Sequence, residues 1–349
     1  MNTTIKKELA KYQGQINRVM KLFFDQKLQE SGRWSADLKK VVQKTKRFSL
    51  QGGKRLRPIL FLYGYQAIKS GNVQAVLKAA VSIEIMQSYF LVHDDIIDED
   101  DQRRGSPSLH VVYEKMYRNN FGIKLSIIAG DLLENYALEV LAEADFPSVN
   151  INKALKHYYQ ITKQVNYGQV LDLLSERDEK ITEKEIFNIL KLKTATYTTT
   201  GPLQLGATLA GATENQLNQV AKIGQPLGIA FQLRDDVLGL FASQKEIGKP
   251  VGSDVKEGKK TLLIYRAWQA SDQKQRKILK KVLGNKSASF KDIKKVRQIV
   301  KETGSLKYVN QKIDQHINKS LKMIANSSFR PSPKKFLADL AQFIGQHVL

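Results

Sequence analysis

Apolar residues recur three or four positions apart over long stretches of this chain, most clearly in segments 76–92, 125–142, 186–197 and 220–233. That spacing places apolar side chains on one face of an α-helix, whereas the alternation typical of strands is scarce. Proline, which interrupts helices, occurs only eight times in 349 residues. The pattern therefore predicts an all-α protein. Because we find no internal repeat, linker or domain boundary, we expect one large helical bundle and a single domain over residues 1–349.

Segment 93–105 contains an acidic cluster directly after the first of these apolar stretches. Asp94, Asp95 and Asp98 fall within little more than one helical turn. Because residues four apart lie on one face of a helix, Asp94 and Asp98 should project together. Their charges repel, and burial without a partner would raise their pKa values, so a divalent cation would relieve both problems. Oxygen ligands select a hard ion, and for an ion that must also bind the phosphates of a substrate we expect Mg²⁺. A solvated acidic helix end is the alternative.

Basic residues follow this acidic cluster and also precede it. Arg103 and Arg104 come five and six residues after Asp98, and guanidinium groups bind phosphate oxygens bidentately. Upstream, the segment Gly-Gly-Lys-Arg-Leu-Arg-Pro places Lys54 and Arg57 on one face of a helix that begins there. Its order is not that of a Walker loop. Surface charge and an ordinary basic loop are the alternatives, yet the combination indicates a substrate with phosphates.

A second acidic pair, Asp235 and Asp236, ends the apolar stretch 220–233. Basic residues again follow, among them Lys249 and Lys259. Two acidic helix ends, each trailed by basic residues, predict a cavity with metal ions on two walls.

With both motifs in this order, the chain resembles the trans-prenyltransferases, the all-helical synthases that make farnesyl, geranylgeranyl and longer polyprenyl diphosphates. The resemblance covers about residues 52–261, and segment 336–344 is similar to the family's last helix. It implies an isoprenoid synthase fold with a central active-site cavity. It also implies head-to-tail condensation of isopentenyl diphosphate with dimethylallyl, geranyl or farnesyl diphosphate. Three Mg²⁺ ions, which Mn²⁺ can replace, would bind the allylic diphosphate, and the released diphosphate would take the proton.

The family pattern also implies a role for individual residues. The metal sites are expected at Asp94, Asp95, Asp98, Asp235 and Asp236. Isopentenyl diphosphate is expected at Lys54, Arg57, Gln87 and Arg104. The allylic diphosphate is expected at Arg103, Gln169, Asp172, Lys193, Gln232, Lys249 and Lys259. Thr194 belongs with Lys193 to a segment that resembles the one beside the reacting carbons.

Two positions bear on how this chain compares with the rest of the family. Gly239 stands where the second motif usually has a third Asp. Some subgroups share this change, so we expect activity but no metal ligand there. Tyr89 and Phe90 lie about one turn before Asp94. In the family, bulky side chains at this place accompany short products. We therefore expect products of 15 or 20 carbons; a longer-chain synthase is the alternative if these rings pack elsewhere.

The net charge of +22, from 56 basic and 34 acidic residues, supports a rival class, the nucleic-acid-binding helical protein. Segment 274–301 has eleven basic residues and one acidic residue, but Phe290 is its only aromatic residue. Bases would therefore find little to stack on. A solvated, lysine-rich pair of helices is the simpler explanation, and weak contact with an anionic membrane surface is a further hypothesis.

Other features exclude several alternatives. The absence of Cys excludes disulfides and thiolate chemistry. Terpene cyclases usually have an Asn/Ser/Glu metal site, which is absent around Asp235, and non-catalytic partner subunits lose the first motif, which is intact here. The chain begins without a signal-peptide core, and no apolar run approaches the ~18–20 residues of a membrane span. We expect a cytoplasmic protein and, from the resemblance, a homodimer.

Overall fold

The computed structural model describes residues 3–177, 180–242 and 252–346. Most of these residues are helical, and the prediction of an all-α protein is confirmed. The α-helices are α1 (Thr3–Trp34), α2 (Ala36–Leu50), α3 (Leu56–Ile68), α4 (Val73–Ile97), α5 (Leu109–Tyr117), α6 (Phe121–Ala142), α7 (Ser148–Arg177), α8 (Glu183–Ile189), α9 (Gly201–Leu209), α10 (Glu214–Phe241), α11 (Ser253–Glu257), α12 (Leu262–Ala270), α13 (Gln273–Val282), α14 (Phe290–Glu302), α15 (Ser305–Ala325) and α16 (Pro331–Gln346). A π-helical segment, Leu190–Thr200, and two short strands, β1 (Gln102–Arg103) and β2 (Ser106–Pro107), complete the described elements.

The chain divides into two compact units. The first unit comprises Thr3–Tyr158 and Pro202–Thr213, and the second comprises Tyr159–Gly201 and Glu214–Leu349 as far as these residues are described. The single domain predicted for residues 1–349 stays a prediction.

The core of the first unit is built around α4, which packs on α3 and α6. Apolar residues cover nearly all sides of α4 between Val76 and Val92, as expected of a helix that is buried all round. Glycines allow α3 and α9 to approach closely, since a Cβ at Gly64 would lie 2.1 Å from the carbonyl oxygen of Leu203. Among the described helices, α4 alone is long and apolar enough to cross a membrane, and 89% of that stretch is buried inside the protein.

The core of the second unit is built around α10, which packs on the π-helical segment and on α15. A Cβ at Gly228 of α10 would lie 2.4 Å from Oγ1 of Thr199 and 2.6 Å from Cα of Ala195. The hydroxyl of Thr199 also donates to the carbonyl oxygen of Gly224 at 2.7 Å. The helix predicted over 186–197 therefore exists, but its second part is π-helical where it meets α10.

Candidate active site

The first predicted metal ligands lie at the carboxyl end of α4. The amide of Asp98 donates to the carbonyl oxygen of Asp94 at 2.8 Å, so these residues are one helical turn apart, as their spacing predicted. The helix ends at Ile97, and Glu99 follows in a left-handed conformation with φ of +55°. Asp94 and Asp98 are both half-buried. Half-buried carboxylates can bind a cation and leave its other coordination positions open to a substrate.

Asp95 has a different environment, because only 1% of this residue is exposed. Nε of Arg103 donates to Oδ1 of Asp95 at 2.6 Å, and Nη2 of Arg103 contacts Oδ1 as well as Oδ2 of Asp100, the latter at 3.0 Å. Burial raises the pKa of Asp95, and Arg103 opposes that rise. Oδ2 of Asp95 is buried and has no hydrogen-bond partner among the described residues. A cation or a ligand donor could satisfy this oxygen.

A two-residue hairpin positions the neighbouring arginines. Strands β1 and β2 pair antiparallel, and they are joined by Arg104 and Gly105, whose φ angles are 54° and 74°. Positive φ at both central residues is typical of the tight turns that match strand twist. Arg103 therefore contacts Asp95, whereas Nη1 of Arg104 donates to the carbonyl oxygen of Gln51 at 2.6 Å. The turn thus gives two adjacent guanidinium groups different hydrogen-bond partners.

Two of the four residues predicted to bind isopentenyl diphosphate lie together in the first unit. Gln87 and Arg104 line one small cavity together with Arg103. Gln87 is buried, and its Oε1 has no hydrogen-bond partner among the residues that the structure describes. Desolvation of its guanidinium group lowers the pKa of Arg104, the charge of Glu84 opposes that change, and the charges of Arg55 and Arg57 lower the pKa further. Crowded guanidinium groups of this kind would be stabilised by a bound anion.

An ion pair that the sequence did not predict holds the loop that contains Gly52 and Gly53. Nη1 of Arg55 donates to Oε1 of Glu84 at 2.5 Å, and the side chains are only 1% and 5% exposed. Nε of Arg55 also donates to Asn17 at 2.8 Å. Arg55 lies between Lys54, which is exposed, and Arg57, which is half-buried, and its pairing with Glu84 ties this loop to α4. The available signal was Glu84 itself, since a carboxylate inside an apolar stretch is rarely buried without a partner.

The second acidic pair lies near the carboxyl end of α10. Asp235 is exposed, whereas Asp236 is buried and accepts a hydrogen bond from Nε2 of Gln232 at 2.8 Å. Burial raises the pKa of Asp236 well above its ordinary value, and the nearby carboxylates of Asp254, Asp235 and Asp172 raise it further. Repulsion within this group of carboxylates would be relieved by a cation.

Gly239 brings a further carboxylate into this group. A Cβ at Gly239 would lie 3.2 Å from Oδ2 of Asp254, which belongs to α11. Asp236, Gly239 and Asp254 also line one small cavity. The sequence showed Asp254 after the second motif but gave no reason to assign it a role. The structure places its carboxylate beside the position where the family usually has a third Asp.

The π-helical segment positions Lys193 and Thr194. Nζ of Lys193 donates to Oδ2 of Asp172 at 2.6 Å, which brings two residues of the predicted allylic site together. Gly168 allows this contact between α7 and the segment, because a Cβ there would lie 2.4 Å from the backbone nitrogen of Lys193. Thr194 is buried, and Nε2 of Gln169 is buried with no hydrogen-bond partner among the described residues. Irregular helical turns of this type are frequent at functional sites.

Two further predicted lysines follow α10 in the sequence. Nζ of Lys259 lies 2.6 Å from a carboxylate oxygen of Glu257. Lys249 lies outside the described residues.

The predicted floor of the product tunnel is buried in the first unit. Tyr89 and Phe90 are each 7% exposed, and their ring centroids are 4.7 Å apart. The ring of Tyr89 also lies edge-on to His93 at 5.0 Å. The two rings form one bulky group close to Asp94, and their effect on product length stays a prediction.

Each unit thus holds a pair of aspartates near the end of a helix, with amide and cationic side chains suited to diphosphate oxygens. An all-α fold with these residues defines the class of enzymes that join isoprenoid diphosphates. The family model for polyprenyl synthetase matches residues 39–301, and the chain belongs to this family.

Individual relatives agree with this assignment. The geranylgeranyl diphosphate synthase of Sulfolobus acidocaldarius is 35% identical over 312 residues, which cover 88% of this chain and 91% of the relative. The short chain isoprenyl diphosphate synthase of Methanocaldococcus jannaschii is 33% identical over 305 residues, covering 87% and 88%. The crystal structure of geranylgeranyl pyrophosphate synthase from Corynebacterium glutamicum, with isoprenyl diphosphate and magnesium, gives a TM-score of 0.91 at 30% identity, covering 97% of this chain and 99% of that one. The resemblance is confirmed: the chain is a trans-prenyltransferase of the short-chain type.

Proposed function

We propose that this enzyme condenses isopentenyl diphosphate with an allylic diphosphate and stops at 15 or 20 carbons. The paired rings of Tyr89 and Phe90, buried about one turn before Asp94, carry the proposed length. Bulk at this position would leave little room for a longer chain. Relatives named geranylgeranyl diphosphate synthase support a limit of twenty carbons. A longer product is the alternative if both rings only pack against neighbouring helices.

The residues present fit a hard divalent cation, and we assign Mg²⁺, three ions per active site, with Mn²⁺ able to replace it. Asp94 and Asp98 supply oxygens one turn apart, and Asp235 supplies an exposed carboxylate beside the buried Asp236. Asp95 would contribute through its buried Oδ2. Within the described residues, no three acidic, His or Cys side chains form a closed metal cluster. Diphosphate oxygens and water would therefore complete the coordination, as is usual for Mg²⁺.

The chain's own residues would bind and orient the two diphosphates. Lys54, Arg57, Gln87 and Arg104 would hold isopentenyl diphosphate. The allylic diphosphate would be held by Arg103, Gln169, Lys193, Gln232, Lys249 and Lys259, with Asp172 lining the same site. When bound, Mg²⁺ offsets the negative charge of the departing diphosphate.

The reaction then needs no nucleophilic side chain. The allylic C–O bond breaks, and its electron pair leaves with the diphosphate. The double bond of isopentenyl diphosphate forms the new C–C bond, and loss of a proton to the released diphosphate restores an alkene. Cationic side chains such as Lys193 would stabilise the charge that develops on the leaving group. Asp172 would orient Lys193 through their 2.6 Å hydrogen bond.

We infer that α6 packs against a second copy of this chain. Phe121, Ile123, Ile127 and Ile128 of this helix are all exposed. Large exposed apolar side chains in this number on one helix are typical of a protein interface, and symmetric dimers are the commonest assemblies. Size-exclusion chromatography with light scattering would test the dimer, and Ile127→Lys should favour the monomer. The cytoplasmic location stays a prediction.

A product assay tests the proposed reaction. Purified protein would receive labelled isopentenyl diphosphate with dimethylallyl, geranyl or farnesyl diphosphate, and the dephosphorylated products would be sized. We expect products of 15 or 20 carbons that disappear with EDTA and return with Mg²⁺. Asp94→Asn combined with Asp98→Asn should abolish condensation, whereas Asp37→Asn with Asp145→Asn, which changes two exposed aspartates, should not. Longer products would refute the proposed floor, and no condensation with any primer would refute the proposed function.

A further inference from the structure

A lysine-rich pair of helices in the second unit forms an antiparallel hairpin. We call α13, α14 and the loop between them, residues 273–302, the basic hairpin. Nε2 of Gln275, near its start, donates to Oε2 of Glu302, at its end, at 3.0 Å. Leu279 of α13 and Val296 of α14 are fully buried. Because the apolar faces point inward, the outer faces of both helices are left to the basic residues.

Nearly all of the positive charge of the basic hairpin is exposed. Ten of the eleven basic residues in 274–301 are exposed. The exception is Arg297, whose Nε donates to the carbonyl oxygen of Leu240 at 2.5 Å. The single acidic residue, Asp292, accepts hydrogen bonds from the hydroxyl and amide of Ser289, at 2.7 and 3.2 Å, in a helix cap. Its other oxygen, Oδ1, lies 3.5 Å from Nζ of Lys295, so a single carboxylate faces an excess of lysines within segment 274–301.

The charges and the one aromatic residue are arranged along the length of the basic hairpin. Acidic Asp272 and Glu302 lie at its open end, whereas Lys286 lies in the loop that joins the two helices. Phe290 begins α14 beside that loop and is 59% exposed, with Nζ of Lys294 at 5.0 Å from its ring centroid. The loop end therefore combines an exposed aromatic ring with a group of lysines. Aromatic rings favour the headgroup region of a bilayer, and lysines are attracted to anionic headgroups.

We propose that the basic hairpin binds an anionic membrane surface by its loop end. The lysines contact lipid phosphates, and Phe290 lies at the interface. A single aromatic ring over thirty residues would serve stacked bases poorly, so the pattern favours lipid over nucleic acid. This role is additional to the proposed condensation, and it would place an enzyme with a long apolar product at the bilayer that takes up such molecules.

Vesicle co-sedimentation of the whole protein tests the proposal. The vesicles would contain phosphatidylcholine alone or with one third phosphatidylglycerol, at low and high salt. The hairpin variant replaces four exposed lysines by Gln: Lys277, Lys280, Lys281 and Lys291. The control variant replaces four exposed lysines of the first unit by Gln: Lys21, Lys69, Lys78 and Lys153. Both variants carry the same net charge, and circular dichroism and condensation without vesicles would verify that each is folded.

We expect the native protein to bind anionic vesicles and to be released by high salt. The hairpin variant should bind at least about tenfold more weakly, since each lysine near the surface contributes measurably, and the control variant should bind like the native protein. Phe290→Ala should weaken binding further. Equal losses in the two variants would refute a role for this surface and leave only net charge. Failure of the native protein to bind vesicles would also overturn the proposal. So would an RNA-binding assay in which the hairpin variant loses RNA binding while it retains vesicle binding.

Discussion

The buried ion pair between Arg55 and Glu84 makes the sharpest prediction. Glu84→Gln keeps the size and shape of the side chain but removes the negative charge that faces Arg55. Gln can still accept one hydrogen bond, and Asn17 still accepts another from Nε of Arg55. The variant leaves the guanidinium charge of Arg55 without the carboxylate that now faces it. Only 1% of the Arg55 side chain is exposed to water.

Loss of one partner of a buried pair typically costs about 3–5 kcal/mol, because the remaining charge stays buried. The retained hydrogen bonds favour the lower end, so we expect the free energy of unfolding to fall by about 3 kcal/mol. Lys54 and Arg57 lie on either side of Arg55. A loosened loop should therefore also weaken the binding of isopentenyl diphosphate. We expect KM for that substrate to rise roughly tenfold, which corresponds to ~1.4 kcal/mol. KM for the allylic substrate should change little.

Urea unfolding and steady-state kinetics with each substrate varied in turn would measure both effects. Asp37→Asn is the control, since it breaks the exposed pair with Lys40, whose side chains are 73% and 58% exposed, and should leave stability unchanged. A double-mutant cycle with Arg55→Gln would isolate the energy of the pair itself. A loss below about 1 kcal/mol with unchanged KM values would show that the pair neither stabilises the fold nor positions the loop.

Four further changes test other parts of the structure. Burial and two neighbouring lysines lower the pKa of His316 to about 4, so stability should fall as the pH drops from 6.5 toward 4, and His316→Phe should reduce that fall in urea titrations. Asp254→Asn should raise the Mg²⁺ concentration for half-maximal activity about tenfold. Tyr89→Ala with Phe90→Ala should lengthen the product, measured with thermal unfolding as a control for folding. Gly228→Ala should cost about 1–3 kcal/mol in unfolding experiments, because its Cβ would meet Thr199.

The sequence predicted those parts of the fold and site that depend on local spacing. The apolar period located α4, α6 and α10, and the interval of four residues between Asp94 and Asp98 predicted one helical turn. The prediction that Lys193 and Asp172 belong to one site agrees with their hydrogen bond, although 21 residues separate them. That agreement came from the family resemblance, since no periodicity relates residues on two different helices.

Other features could not be predicted because they depend on contacts between distant segments. In Lys-Arg-Leu-Arg, nothing local distinguishes the buried Arg55 from its neighbours Lys54 and Arg57. Its left-handed backbone and its partner on α4 decide the difference. Gly239 looked like a lost carboxylate, yet Asp254 approaches it from another helix. Similarly, the apolar pattern over 186–197 predicted a helix but not its π-helical turns.

Adjacent aspartates explain why each acidic motif contains two different environments. Successive residues on a helix point about 100° apart, so a pair cannot face the same surroundings. Asp95 is buried against Arg103 and Asp236 against Gln232, whereas Asp94 is half-buried and Asp235 is exposed. In each unit, therefore, the first aspartate is the more accessible to a metal ion, and the second is oriented by a neighbouring side chain. The paired motif therefore supplies both an accessible carboxylate and a carboxylate whose orientation the protein fixes.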